Sequence, residues 1–144
     1  MFLPITLTVG GACALLSIWL AIRVSHVRRL NHVSIGDGGN AVVATRMRAH
    51  ANFAEYTPIF LILLAAVELA AGANMWRWGI AILFILSRLA HPFGMDRPAP
   101  NALRMVGVAL TWAALLALAV WAITLGYTQA ATPGQRHDAM VISA

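Results

Sequence analysis

Residues 3–22 read LPITLTVGGACALLSIWLAI, twenty positions without a charged side chain. At about 1.5 Å per residue a helix of that length covers the hydrocarbon core of a bilayer. No basic segment precedes the run and no small-residue cleavage pattern follows it, so it reads as a retained membrane span and not a signal peptide. The rest of the chain carries the same signature. Of its 144 residues 60% are hydrophobic and 10% charged, where a soluble domain carries about a quarter charged residues. With a mean hydropathy of +0.77, the composition excludes a water-soluble enzyme and a disordered chain together.

Working outward, the composition turns polar from Arg23 to Asn40, and Ile35-Gly36-Asp37-Gly38-Gly39-Asn40 is a turn-rich loop. A second helix is expected to start near Ala41, to cross the polar stretch Arg46–Glu55, to bend at Pro58 and to continue as an apolar run from Ile59 to Ala71. Gly72-Ala73-Asn74 makes a tight connection to a third run from Met75 through His91, and Arg97-Pro98-Ala99-Pro100-Asn101 leads to a fourth from Val106 to Leu125. The expectation is an all-α, transmembrane four-helix bundle in one domain over 1–144, with spans about 3–22, 53–71, 75–91 and 106–125 and a polar tail over 128–144. Cys13, the single cysteine, lies inside an apolar run and reads as packing.

All ten basic residues are arginine, against five acids. The connections after spans one and three hold Arg23, Arg28, Arg29, Arg46, Arg48, Arg97 and Arg104, whereas the other side has Arg77 and Arg136. By the positive-inside rule, seven against two puts both long loops in the cytoplasm and both termini outside. Arginines that flank spans argue for lipid headgroups or a small anion as partner, and against nucleic acid.

Chemistry concentrates on the second helix. Arg48, Asn52, Glu55 and Tyr56 fall at i, i+4, i+7 and i+8, so a cation, an amide, an anion and a phenol share one face. Arg46 and His50 point elsewhere, His50 about 200° round the axis from Arg48 at about 100° per residue, and are free to serve a neighbouring helix or subunit. Arg88 and His91 share a face of the third helix, and Arg104 opens the fourth. A structural account of the same residues has Arg48 and Glu55 in an interhelical network and Asn52 joining helices. Yet Arg28, Arg29, Arg46, Arg48, Arg88 and Arg104 meet only Glu55 and Asp96 on that side near the apolar core, an excess that a multiply anionic ligand would balance.

At these residues the sequence resembles the MAPEG family, membrane-associated proteins in eicosanoid and glutathione metabolism. Arg48-Ala49-His50-Ala51-Asn52-Phe53-Ala54-Glu55-Tyr56-Thr57-Pro58 is similar to the family's second-helix pattern RAxxNxxEYxP. Val27-Arg28-Arg29-Leu30-Asn31-His32-Val33-Ser34 and Ser87-Arg88-Leu89-Ala90-His91 resemble segments of the first and third helices of family members. The resemblance implies a homotrimer that binds glutathione between protomers near the cytoplasmic side. It implies that Arg48, Asn52, Glu55 and Tyr56 hold glutathione from one subunit, with Arg28 and His50 approaching from the next, His91 lining the pocket and Arg104 stabilising the thiolate. Glutathione offers two carboxylates for arginine forks, an ammonium for Glu55 and amides for Asn52 and Tyr56. Two departures stand out: Met95 occupies a position where several relatives carry tyrosine, and the Pro98–Pro100 loop is about two residues longer, which shifts the register of Arg104.

The enzyme reading is a membrane-bound glutathione transferase or peroxidase, acting on a hydrophobic electrophile or lipid hydroperoxide that arrives from the bilayer, in a bacterial inner membrane. The alternative is a noncatalytic membrane protein that binds anionic lipid or a partner complex through its cytoplasmic-side arginine cluster. Lipid phosphate calls for arginines but not for Glu55 and Asn52 on the same face, which favours the enzyme.

Overall fold

The computed structural model describes residues 2–130, and they form four α-helices: α1 (Pro4–Leu30), α2 (Ala41–Ala71), α3 (Met75–Met95) and α4 (Ala102–Ala130). Each is long and apolar enough to cross a membrane, and no strand occurs among the described residues. The chain is an integral membrane protein with the four-helix, all-α architecture expected of it. Of the tail expected from 128, residues 128–130 belong to α4, and the remainder lies outside the described residues.

Asparagine sets three of the four helix starts. Asn40 Oδ1 accepts from the amides of Val42 (2.9 Å) and Val43 (3.2 Å), Asn74 Oδ1 from Arg77 (3.0 Å), and Asn101 Oδ1 from Arg104 (2.9 Å). Each supplies an acceptor to first-turn amides that have no partner inside the helix. α2 closes at Gly72, whose φ of +75° is a region that favours glycine and whose amide donates back to Glu68 O at 2.8 Å. Pro58 and Pro92 both sit inside continuous helices.

α1 has no asparagine at its start, and its cap comes from another helix. Glu68, a carboxylate within the run read above as apolar, is 2% exposed and accepts from Ile5 N (2.9 Å), Thr6 N (2.8 Å) and Thr6 Oγ1 (2.6 Å). An anion at a helix N-terminus meets both the orphan amides and the positive end of the macrodipole. Arg77 is buried at the same end of the bundle. It donates to Ala71 O and Gly72 O at the last turn of α2 and lies 4.6 Å from the centre of the Trp121 ring. Charges placed at an apolar depth are thus satisfied by helix ends.

Hydrophobic burial does not drive helices together inside lipid, so shape and polar contacts carry the packing. α2 packs against each of the other three helices, while α1 and α4 do not meet. The Phe60 and Phe84 rings stack between α2 and α3 with centroids 3.7 Å apart and planes 4° from parallel. Glycines bring α3 and α4 together at the arginine-rich end. A Cβ on Gly107 would stand 3.1 Å from His91 Cβ and 3.2 Å from Ser87 O, and one on Gly94 would land on the backbone of Arg104. One turn further in, the hydroxyls of Ser87 and Thr111 join the same pair of helices at 2.9 Å. With 31 residues α2 is about 46 Å long, against a hydrocarbon core of about 30 Å. Its polar first turns therefore extend past the apolar zone, and they carry most of the residues singled out above.

Candidate functional site

The site is organised from behind by Arg88. This residue is 2% exposed and has no carboxylate partner among the described residues. Its Nη1 donates to Asn52 Oδ1 at 2.8 Å and its Nη2 to Gly107 O at 3.2 Å, and the guanidinium lies 5.8 Å from the Tyr56 ring centre and 5.9 Å from that of Phe84. A cation buried in this way is held by dipoles and aromatic faces in place of an anion. One consequence is orientation. With Oδ1 occupied, Asn52 presents its amide donors to whatever occupies the site. Tyr56 is held similarly, because its hydroxyl oxygen accepts from Trp112 Nε1 at 3.1 Å and its own O–H remains available to donate.

The four residues on the shared face of α2 fan over about 100° at 100° per residue. Glu55 and Arg48 occupy the outer edge; their side chains are 54% and 67% exposed and their nearest charged atoms 3.8 Å apart. Asn52 and Tyr56 occupy the inner edge and are half-buried against α3 and α4. A carboxylate and a guanidinium that meet loosely at an open edge give little stability. They leave a cation and an anion side by side for a zwitterion.

His50 and Arg28 lie on the other side of α2. Together with Val24, Met47, Ala51 and Ala54 they line a cavity of about 290 Å³ between α1 and α2. Arg28 Nη2 donates to Gly36 O at 2.9 Å, at a glycine whose φ of +67° turns the loop back over the helix end. No hydrogen bond or ion pair links the side chains of this pair to Arg48, Asn52, Glu55 or Tyr56. The six residues named from the family pattern thus fall into two groups on opposite faces of one helix, and a single chain does not bring them together.

His91 is 4% exposed, faces Gly107 across the close α3–α4 contact, and has a buried Nδ1 with no hydrogen-bond partner. Arg104 is placed by its backbone: its amide is held by Asn101 Oδ1, while Asn101 Nδ2 donates to Gly94 O at 2.8 Å and so ties the end of α3 to the start of α4. The Arg104 side chain is exposed and makes no hydrogen bond or ion pair with any described residue. Arg104 and His91 therefore share one end of the α3–α4 hairpin, His91 inside it and Arg104 at its mouth.

Two arginines in the sequence argument turn out to be engaged within the chain. Asp96, the C-cap of α3, pairs with Arg23 of α1 and lies 3.5 Å from Arg46 Nε of α2, so Arg46 serves a helix of its own chain and carries no argument for a neighbouring subunit. Sequence reasoning also passed over Trp112, which is 58% exposed on α4 and looks like any lipid-facing tryptophan until its bond to Tyr56 is seen. Glu68 did carry a signal, a carboxylate inside an apolar run.

The family model for the MAPEG family matches residues 6–124, which takes in α2 and α3 whole and most of α1 and α4. The chain is similar to inner membrane protein YecN of Escherichia coli (strain K12), at 34% identity over 104 residues that make up 72% of this chain and 78% of that protein. The protein of the same name from Escherichia coli O6:H1 matches with the same figures, 34% over 104 residues.

Proposed function

Since the chain belongs to the MAPEG family, we propose that it is a glutathione-dependent transferase or peroxidase of a bacterial inner membrane. The observation that carries this reading is the open edge of α2, where Arg48 and Glu55 stand 3.8 Å apart beside an Asn52 fixed from behind by Arg88. The γ-glutamyl end of glutathione is a carboxylate next to an ammonium, and that edge offers a guanidinium next to a carboxylate, with amide and phenol donors alongside. The division of the six residues between opposite faces of α2 supports assembly as a homotrimer, in which Arg28 and His50 of one copy complete the Arg48 face of the next.

The reaction needs little further machinery. Arg104, exposed at the site's mouth and unpaired within the described residues, would lie beside the thiol and lower its pKa, so that the proton leaves to water and the sulfur remains as thiolate. The thiolate then donates its electron pair to an electrophilic carbon, forming a C–S bond as a leaving group departs with its bonding pair or as a C=C bond opens and the resulting carbanion takes a proton from water. With a hydroperoxide it forms an S–O bond as the O–O bond breaks, the alkoxide takes a proton from water, and a second glutathione displaces water from the sulfenic acid to give the disulfide. The electrophile, a hydrophobic molecule, would reach the sulfur from the bilayer past Trp112 and the apolar face of α4. Titration calorimetry of the detergent-solubilised chain with glutathione tests the premise. Binding at millimolar affinity or better is expected; no heat at ten millimolar glutathione would end the reading.

A further inference from the structure

A second cavity, of about 470 Å³, opens between the first turns of α2 and the segment that follows α3, lined by Thr45, Arg46, Met95, Asp96, Arg97 and Pro98 among others. Its volume lies within the range of about 300 to 1,000 Å³ that small-molecule sites occupy. None of its lining residues belongs to the groups assigned to glutathione above. The charges do not balance. Asp96 is the one carboxylate on the cavity among the described residues, and it is shared between Arg23 and Arg46, while the Arg97 side chain has no hydrogen bond or ion pair with any described residue. Three guanidinium groups against one carboxylate leave an excess of two positive charges, and Arg46 meets Asp96 through Nε alone, with both Nη atoms unengaged. Thr45 adds no donor, since its hydroxyl is bonded back to Ala41 O at 2.7 Å.

We propose that this cavity binds a phosphomonoester. At neutral pH such a group carries between about one and a half and two negative charges with three acceptor oxygens, which matches the excess and suits two guanidinium forks. The height of the cavity in the bilayer fits a lipid source of that group as well as a soluble one. Arg23, which holds Asp96 from below, lies 4.9 Å from the Trp19 ring centre and 5.9 Å from that of Phe93. A tryptophan beside an arginine two turns from the end of α1 suits the headgroup layer.

The full chain in dodecyl maltoside is titrated with phosphatidic acid, with phosphatidylcholine and with glycerol 3-phosphate, and bound states are counted by native mass spectrometry. Phosphatidic acid is expected to be retained at least tenfold more tightly than phosphatidylcholine. Arg97→Gln, which removes no side-chain hydrogen bond or ion pair to any described residue, should weaken it about tenfold, and Asp96→Asn should tighten it. Glycerol 3-phosphate binding with the same dependence on Arg97 identifies a soluble phosphomonoester as sufficient; binding of phosphatidic acid alone identifies the lipid. Equal retention of the two lipids, or an Arg97→Gln variant indistinguishable from the parent, overturns the proposal. Displacement of phosphatidic acid by glutathione also overturns it, because the cavity would then be part of the glutathione site. Failure of glutathione to bind anywhere leaves these outcomes unaffected.

Discussion

Replacing Glu68 by glutamine keeps shape and volume and removes only the charge and one acceptor. In the parent, the carboxylate accepts from Ile5 N, Thr6 N and Thr6 Oγ1 at 2.9, 2.8 and 2.6 Å. Glutamine retains one oxygen for Ile5 N, and its amide can donate to the Thr6 hydroxyl, but it faces the Thr6 amide donor to donor. A buried N–H left without an acceptor costs about 1 to 3 kcal/mol, and turning the remaining charged bond into a neutral one costs about 1 more. Loss of the anion at the positive end of α1 adds about 0.3 to 1 kcal/mol. The expected destabilisation is about 3 kcal/mol, read as a shift in the midpoint of unfolding when dodecyl sulfate is titrated into micelles and helicity is followed by circular dichroism. Glutathione affinity of the folded variant should be unchanged, since Glu68 lies at the opposite end of the bundle from Arg48 and Glu55. A loss below 1 kcal/mol would mean that the carboxylate does not hold the start of α1. A loss of affinity in the folded fraction would mean that the two ends are coupled, contrary to the separation drawn here.

The companion variant Glu55→Gln should show the reverse pattern: stability within about 0.5 kcal/mol of the parent, because its pair with Arg48 is exposed, and glutathione binding weaker by about 1 to 3 kcal/mol in calorimetry. Arg104→Ala should lower turnover much more than it raises the glutathione dissociation constant, and turnover should recover as pH rises and the thiol ionises unaided; ultraviolet thiolate absorbance equal to the parent's at neutral pH would assign the role elsewhere. Gly107→Ala should cost about 1 to 3 kcal/mol in the same unfolding titration, because its methyl would press on His91 and Ser87 O and push α4 off α3. A reporter fused after Ala144 is expected to be active only in its periplasmic form, and cytoplasmic activity would invert the orientation read from the arginines.

How much of this is legible in the sequence depends on the kind of signal. The four helices follow from run length and from turn residues, and the start of α2 at Ala41 coincides with the end of the glycine-rich loop. Grouping of Arg48, Asn52, Glu55 and Tyr56 on one face follows from helical spacing, which is local geometry. What spacing cannot supply is the partner. Nothing in the sequence joins Asn52 to Arg88, thirty-six positions away, or Tyr56 to Trp112, fifty-six away. Arg46 is left to a neighbouring helix or subunit for the same reason, as its angle about α2 is right but the helix waiting there, with Asp96 at its end, is set by tertiary packing. Apolar composition hid Glu68, since a single carboxylate hardly moves a window average over the span that contains it.

The origin of that cap also bears on how the protein is made. α1 leaves the ribosome before α2, with the amides of Ile5 and Thr6 bare, and the side chain that satisfies them belongs to the next helix, 63 and 62 positions later. Until the far end of α2 has been synthesised and has threaded back beside α1, neither helix is at ease in lipid: one lacks an acceptor and the other carries an unpaired carboxylate. The two deficits cancel only when both helices are present. The smallest piece of this chain in which both groups are satisfied is therefore the α1–α2 hairpin, and a nascent chain halted before Glu68 is expected to be less stably held in the bilayer than one halted after Gly72.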